Sequence, residues 1–282
     1  MKVLITGANG QLATEFQTYL EKREPRQAVA LGREQLDVSD SRMVSEALAY
    51  YKPDMVLNCS AYNEVDKAET DYNAAYQVNA SGVKNLAAAC KNNNALLVHY
   101  STDYVFNGTK EGFYTEDDST GPINKYGESK LAGEEMLVTE ADNFLLFRVS
   151  WVFGPGPQNF FYKLSEWAGR NNVLKIVSDQ VSVPTGTEDI VITTMRAVKE
   201  GVRGLFHLTN SGYASRYEVA RYYAEKCGFR NLILPVSSDF FPAAARRPYF
   251  TAMSNVKISG ALSCGIPDWR DAVDRYIKRT EK

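Results

Sequence analysis

The sequence predicts an α/β protein built on a doubly wound parallel sheet, with a smaller α/β domain toward its C-terminal end. Three observations carry this expectation. Short apolar runs bounded by turn residues alternate with longer amphipathic segments, the rhythm of strand, helix, strand. The runs VLIT, MVLNCS and LLVHYS are apolar almost throughout, as strands covered by helices on both faces must be. The length of 282 residues accommodates about two domains at roughly 150 residues each.

Taken in order, strands are expected at 2–6, 28–32, 54–60, 95–102 and 143–150. Between them, helical periodicity covers about 11–23, 39–51, 65–92 and 124–140, with Ser39 as the cap of the second helix. After Trp151 the rhythm loosens. Gly154-Pro155-Gly156-Pro157 makes a turn, and a helix near 158–170, a strand near 174–178, a helix near 187–200 and a strand at 204–209 follow. Helices near 215–227 and 269–279 lie among Pro-rich and aromatic loops such as Asp239-Phe240-Phe241-Pro242. The expected division is a nucleotide-binding domain at 1–150, completed by strands and helices from about 174–210, and a mainly substrate-binding domain at 151–282.

Thirty-two Lys and Arg stand against 34 Asp and Glu. That balance leaves no basic excess to grip a phosphate backbone, so no nucleic-acid partner is expected. The two histidines, His99 and His207, both sit in apolar runs, which argues against a multi-histidine metal site and against histidine as the working acid. Cys59, Cys90, Cys227 and Cys264 lie far apart with no CxxC pair, fitting reduced thiols better than a disulfide framework or a zinc site. No run approaches the roughly 18 apolar residues of a membrane span, and the N-terminus lacks a signal-peptide layout, so a cytoplasmic protein is expected. Asn58, Asn79 and Asn107 begin N-x-S/T triplets, which without a secretion signal read as chance occurrences.

The segment Thr6-Gly7-Ala8-Asn9-Gly10-Gln11-Leu12-Ala13 follows the first strand and opens the first helix. Gly7 and Gly10 allow tight turns and close approach of a pyrophosphate, and the helix N-terminus at Gln11 and Leu12 supplies unpaired N–H donors. The spacing is GxxGxxA rather than GxGxxG. In this strand–turn–helix context it predicts a Rossmann-type dinucleotide site. The second strand runs into Arg33 instead of an acidic residue. A guanidinium there suits a 2′-phosphate, favouring NADPH over NADH; otherwise Arg33 is a solvated surface residue. Asp37 is placed to accept from the adenine amino group and Val38 to pack on its ring.

Tyr126 and Lys130 stand at i and i+4, on one face of a helix. A nearby ammonium lowers a tyrosine pKa toward neutrality, and the same lysine can bond the ribose hydroxyls of a nicotinamide nucleotide. The pair also occurs as a plain surface contact. What distinguishes it here is Ser101-Thr102-Asp103, ending the fourth strand at the edge where open α/β sheets bind ligands. The Thr102 hydroxyl can there bond a substrate carbonyl oxygen beside Tyr126.

These residues sit in TGANGQL at 6–12, YSTDYVFNG at 100–108, NKYGESK at 124–130 and FRVSWVFG at 147–154. With them the chain resembles the extended short-chain dehydrogenase/reductases, and among these most resembles the dTDP-4-dehydrorhamnose reductase group. Further matches are Asn58–Tyr62 with Val65-Asp66-Lys67-Ala68-Glu69, Ser178-Asp179-Gln180 with Val183-Pro184-Thr185, His207-Leu208-Thr209 and Arg247-Pro248. The resemblance covers essentially the whole chain. It implies reduction of the C4 keto group of dTDP-4-dehydro-β-L-rhamnose by NADPH or NADH, with Tyr126 as proton donor, Lys130 lowering its pKa and Thr102 positioning the keto oxygen. It also implies Ser60, Ala61 and Tyr62 along the ribose and nicotinamide, Thr102 and Asp103 beside the sugar, and Trp151 against the pyranose; simple core burial is the alternative for Trp151. Asn159 and the Arg247-Pro248 stretch are implied near the nucleotide diphosphate, with Arg246 or Arg247 pairing with its charge.

Some members of the group form homodimers through a magnesium ion held by glutamates. Glu15 and Glu188 match those positions, though two helical glutamates are also ordinary surface charges. Three departures stand out: Ala13 where the group has glycine, Cys59-Ser60 where it has Ala-Ala, and Asn63-Glu64 where it has small or hydroxyl residues. Two other functions share the pattern, a reductase of another 4-keto-6-deoxy sugar nucleotide and a regulatory subunit that keeps the cofactor site. The intact Thr102, Tyr126 and Lys130 argue against the latter.

Overall fold

The computed structural model describes residues 1–23 and 27–280. In chain order the elements are β1 (Val3–Thr6), α1 (Gln11–Arg23), β2 (Ala28–Leu31), α2 (Ser41–Tyr51), β3 (Met55–Asn58), α3 (Tyr72–Tyr76), α4 (Gly82–Asn92), β4 (Leu96–Thr102), α5 (Lys125–Glu140) and β5 (Phe144–Val149). Then come β6 (Val152–Phe153), α6 (Phe160–Arg170), β7 (Val173–Val177), β8 (Val181–Ser182), β9 (Thr185–Gly186), α7 (Thr187–Lys199), β10 (Gly204–His207), β11 (Ala214–Ser215), α8 (Arg216–Lys226), β12 (Leu232–Val236), α9 (Val256–Ala261) and α10 (Trp269–Thr280).

One parallel sheet runs in the order β2-β1-β3-β4-β5-β10. The strand order reverses at β1, and the crevice at the carboxyl ends of β1 and β3 is where such sheets bind ligands. Every residue of β1, β3 and β4 is buried, because helices cover both faces. On one face Phe16 and Leu20 of α1 meet Ile190 and Val191 of α7. On the other, Val44 and Leu48 of α2 meet Val83 and Leu86 of α4. A third core, with Phe153, Phe161, Tyr223, Trp269 and Tyr276, holds the C-terminal elements together.

Two expected helices differ from the sequence reading. α2 is capped by Asp40, whose carboxylate accepts from the Arg42 and Met43 amides; Ser39 instead donates its hydroxyl to Asp37. The segment expected as one helix at 65–92 breaks into a 3-10 turn at Lys67–Glu69, α3, a π turn at Gln77–Ser81 and α4. The π turn accompanies Asn79, whose side chain bonds the Tyr62 backbone and Ser129; such turns recur at functional sites. Further on, β10 joins the main sheet beside β5, whereas β7 pairs with β12 outside it. β12 contains Pro235 and the periodicity did not show it; it pairs on one side only, where a proline is tolerated. Among the described residues no helix is long and apolar enough to cross a membrane.

Candidate active site

At the end of β1 the chain turns through Gly7, whose φ is 67°. A Cβ there would stand 2.9 Å from the Cys59 carbonyl oxygen, so both conformation and space require glycine. The Gly10 amide closes the turn onto the Gly7 carbonyl at 2.9 Å. The first turn of α1, Gln11–Ala13, then presents N–H groups that have no acceptor inside the helix. The Gln11 side chain donates to the Val152 carbonyl at 3.0 Å, and its buried oxygen has no protein partner. Leu12 packs against the core and Asn9 is exposed beside Gly32. A close backbone approach and the first-turn N–H groups of α1 fit a dinucleotide pyrophosphate, while the orphaned Gln11 oxygen, an acceptor, suits a hydroxyl or amide donor instead.

Behind this turn lies a buried polar ladder. Thr6 donates to Asn58 at 2.8 Å, the Ser60 amide donates to both, and the Asn58 amide meets His99 Nδ1 at 3.0 Å. Burial, reinforced by Lys130, pushes His99 well below its usual pKa, so it serves the ladder as a neutral ring and not as an acid. Ser60, Ala61 and Tyr62 follow at the rim. The Tyr62 amide donates to Asn79 at 2.9 Å, and Asn79 donates to the Tyr62 carbonyl and to Ser129. Asn58 and Asn79, noted first as chance N-x-S/T triplets, are each 1% exposed.

The three residues expected around the adenosine differ. Arg33 is exposed and donates to Asp37 at 3.1 Å. Asp37 also accepts from the Ser39 amide and hydroxyl; burial alone would raise its carboxyl, but Ser39 and Arg33 hold it below the usual range. Its acceptors are therefore engaged. Val38 is turned into the core, where a Cβ on Gly82 would come within 2.7 Å of it.

α5 carries the central pair. Asn124 caps it by accepting from the Gly127 amide at 2.8 Å, and Glu69 accepts from the Lys125 amide at 2.8 Å. Tyr126 and Lys130 are both buried, which removes the surface-pair reading. A Cβ on Gly133 of the same helix would lie 2.0 Å from the Asn79 carbonyl oxygen, so α5 seats directly on the π turn. Lys130 donates to the Tyr100 carbonyl at 2.7 Å; burial brings its ammonium down to about 8, with Glu134 opposing. The Tyr126 phenol donates to Asn63 at 3.4 Å. Burial pushes this phenol up, with the Thr102 hydroxyl opposing. The expected downward pull from Lys130 is not what dominates: its ammonium is turned to Tyr100, and the phenol stays protonated.

Thr102, at the end of β4, accepts from the Tyr104 amide at 3.2 Å and donates to Asp103 at 3.1 Å. Asp103, expected beside the sugar, faces inward. It is 2% exposed and also accepts from Ser182 and Thr251, tying β4 to β8 and to the segment at 251; burial raises its carboxyl. Trp151 has a φ of 40°, a conformation rare for a bulky residue and frequent at functional sites. Its half-buried ring lies 4.2 Å from the Arg216 guanidinium. Asn159 caps α6 and spends its amide on the Gly154 and Gly156 carbonyls, leaving no donor for a phosphate.

Next to Asn159 and Arg216 opens a cavity of about 1020 Å³, lined by Lys163, Lys175, Arg216, Arg246 and Arg247 with Asp239 as the acid. Tyr126 does not line it, but Tyr104 connects the two places. Burial raises the Tyr104 phenol, opposed by Arg216 and Arg247, while its ring packs edge-on against Tyr126 at 5.9 Å. Arg247, expected on the diphosphate, forks onto both oxygens of Asp66 at 2.6 Å and pulls that carboxyl down to about 2. Sequence reasoning gave no role to Arg216, to Tyr104 within YSTDYVFNG, or to Asn79, since their parts come from contacts made only in the fold.

Glu15 and Glu188 come together, but around arginines. Glu15 accepts from Thr187 and Arg279, and Glu188 pairs with Arg275 at 3.0 Å and Arg279 at 3.9 Å. Among the described residues no cluster of three metal-ligating side chains occurs. A carboxylate pair shared with two guanidinium groups does not fit a magnesium ion, which needs an uncompensated oxygen shell.

The chain matches the family described as RmlD substrate binding domain over residues 1–282. It is 37% identical to a dTDP-4-dehydrorhamnose reductase of Burkholderia thailandensis, covering 99% of this chain and 98% of that one. A crystal structure of a dTDP-4-dehydrorhamnose reductase from Clostridium acetobutylicum superposes with a TM-score of 0.96 at 34% identity, covering 100% of both chains. One from Bacillus anthracis, solved in complex with NADP, superposes at 0.95 with 31% identity, covering 99% of this chain and 100% of that one.

Proposed function

The chain belongs to the RmlD family, with the dTDP-4-dehydrorhamnose reductases, and on that premise we propose that it reduces the C4 keto group of dTDP-4-dehydro-β-L-rhamnose to give dTDP-β-L-rhamnose. The observation that carries this reading is a buried Tyr126, its phenol pushed up by burial, joined through Tyr104 to a cavity whose charged lining residues are five cations and one acid. The sheet-bearing half holds the cofactor and residues 151–282 mainly hold the sugar nucleotide.

Gly7, Gly10 and the first turn of α1 would cradle the pyrophosphate, with Ser60, Ala61 and Tyr62 along the nicotinamide riboside. A bound nicotinamide cofactor supplies hydride to the keto carbon. Tyr126 gives its proton to the keto oxygen as charge develops there, and burial keeps that proton in place until then. Lys130 supplies positive potential at the ribose end. Thr102 fixes the oxygen by turning its one hydroxyl hydrogen from Asp103 to it, while still accepting from the Tyr104 amide. Arg216, Arg246, Lys163 and Lys175 face the diphosphate. Arg33, exposed at the end of β2, favours NADPH through its 2′-phosphate. Turnover of dTDP-4-dehydrorhamnose against other keto-sugar nucleotides, followed by NADPH oxidation, tests the substrate, and this one is expected to have the highest kcat/KM. Arg33→Ala should weaken NADPH more than NADH; an equal effect on both removes Arg33 from the cofactor site.

A further inference from the structure

We propose that the turn at residues 66–69 is a clasp holding the wall of the cationic cavity in register with the catalytic helix, with Asp66 and Glu69 as positioning residues. Asp66-Lys67-Ala68-Glu69 is a single 3-10 turn anchored by a fully buried Ala68. Its two acidic ends reach different structures. Asp66 takes the fork of Arg247 and also accepts from the Ala245 amide at 3.0 Å. Glu69 accepts from the Lys125 amide, at the first residue of α5. A third link closes the ring: Asn124, which caps α5, donates its amide to the Arg246 carbonyl at 2.9 Å.

Three segments distant in sequence, 66–69, 124–127 and 245–247, therefore meet through charge-assisted and amide bonds. Apolar packing of Ala68 against Ala75 and Tyr126 and burial of Ala245 support these bonds, whereas Phe241, Pro242, Ala243 and Ala244 of the cavity wall are all exposed and add nothing to them. Arg246 sits one residue from the clasped Arg247, and Tyr126 one residue beyond Lys125. The span from anion to phenol is thus set by these bonds, and a misplacement of about 1 Å at a reacting centre is enough to lower turnover severely. Arg247 acts as a strut rather than as a ligand.

The kinetic part of this inference rests on the cavity being the sugar-nucleotide site, but the clasp itself does not, and the test separates them. Amide hydrogen exchange is measured on the full chain without ligand, for the parent, Asp66→Asn and Arg247→Lys. Exchange should accelerate about tenfold both at 244–249 and in the first turn of α5, while α4 is unchanged. Arg247→Lys, which keeps the charge and loses the fork, should act in the same direction and carries the test if Asp66→Asn does not fold. In turnover with NADPH and dTDP-4-dehydrorhamnose, KM for the sugar nucleotide should rise and kcat fall, each about tenfold, with NADPH affinity within about twofold of the parent. Unchanged exchange in α5 overturns the clasp, as does an unchanged sugar-nucleotide KM in an active enzyme. If the parent does not turn over that sugar nucleotide, the functional reading fails while exchange still decides the clasp.

Discussion

At Tyr126 and Lys130, burial does opposite things to two neighbouring groups: it raises the phenol and brings the ammonium down to about 8. The ionisation met first on the alkaline side is therefore that of Lys130. Above pH 8 the lysine loses its proton, so kcat/KM for NADPH, which reports the free enzyme, should fall as pH rises through about 8. Lys130→Arg stays charged and should move that fall upward, beyond about pH 10; a limb at the same pH would exclude Lys130 as its source. Tyr126→Phe should lower kcat at least about a hundredfold with NADPH binding nearly unchanged, since it removes the acid and keeps the ring. Gly7→Ala should weaken NADPH binding and cost about 1–3 kcal/mol of stability, read by titration and urea unfolding, because the new Cβ meets the Cys59 carbonyl at a strained φ. The placement of Tyr126 and Lys130 on one helix and the glycine-requiring turn at Gly7 were legible because motif spacing and backbone chemistry are local. The orientations of Val38 and Asp103 were not, because they depend on partners far along the chain, Gly82 and Ser182 with Thr251 respectively; Asn159 is turned by the nearby Gly154 and Gly156 carbonyls, through a loop fold that no motif spacing encodes.

Among the elements, α5 does the most positioning. One face carries Tyr126 and Lys130, Gly133 lets it sit on the π turn, and Glu134 anchors it to β5 through a buried fork with Arg148 at 2.7–3.2 Å. Both partners are nearly fully buried, so Glu134→Ala leaves an uncompensated guanidinium and should cost about 3–5 kcal/mol in urea unfolding. The exposed pair Arg42–Glu46 is the control, expected to contribute less than about 1 kcal/mol; equal effects would contradict the role of burial. The main helices and strands were readable to within a residue or two at most boundaries, because their apolar periodicity is long. The cap of α2 was misplaced by one residue because Ser39 and Asp40 are both capping types, and backbone geometry chose Asp40. The break at 65–92 was hidden because Asn79 acts through contacts with Tyr62 and Ser129 that the helical pattern does not encode.

On the scale of the molecule, the parallel sheet followed from rhythm alone, whereas β12 and α9 did not: one contains a proline and the other spans only six residues. The carboxylates of Glu15, Glu188 and Asp189 are met by Arg275 and Arg279. Sedimentation with and without a chelator should therefore give the same mass; a fall in mass on chelation would restore magnesium to Glu15 and Glu188. The central claim is that the cofactor crevice and the cationic cavity together deliver hydride and a Tyr126 proton to one keto group. Its most direct measurement is a single turnover of NADPH carrying deuterium at its transferring position with dTDP-4-dehydrorhamnose, the product read by NMR. Deuterium is expected at C4 of dTDP-rhamnose, with the rate lost in Tyr126→Phe. Product without deuterium at C4, or an equal rate in the variant, would contradict it.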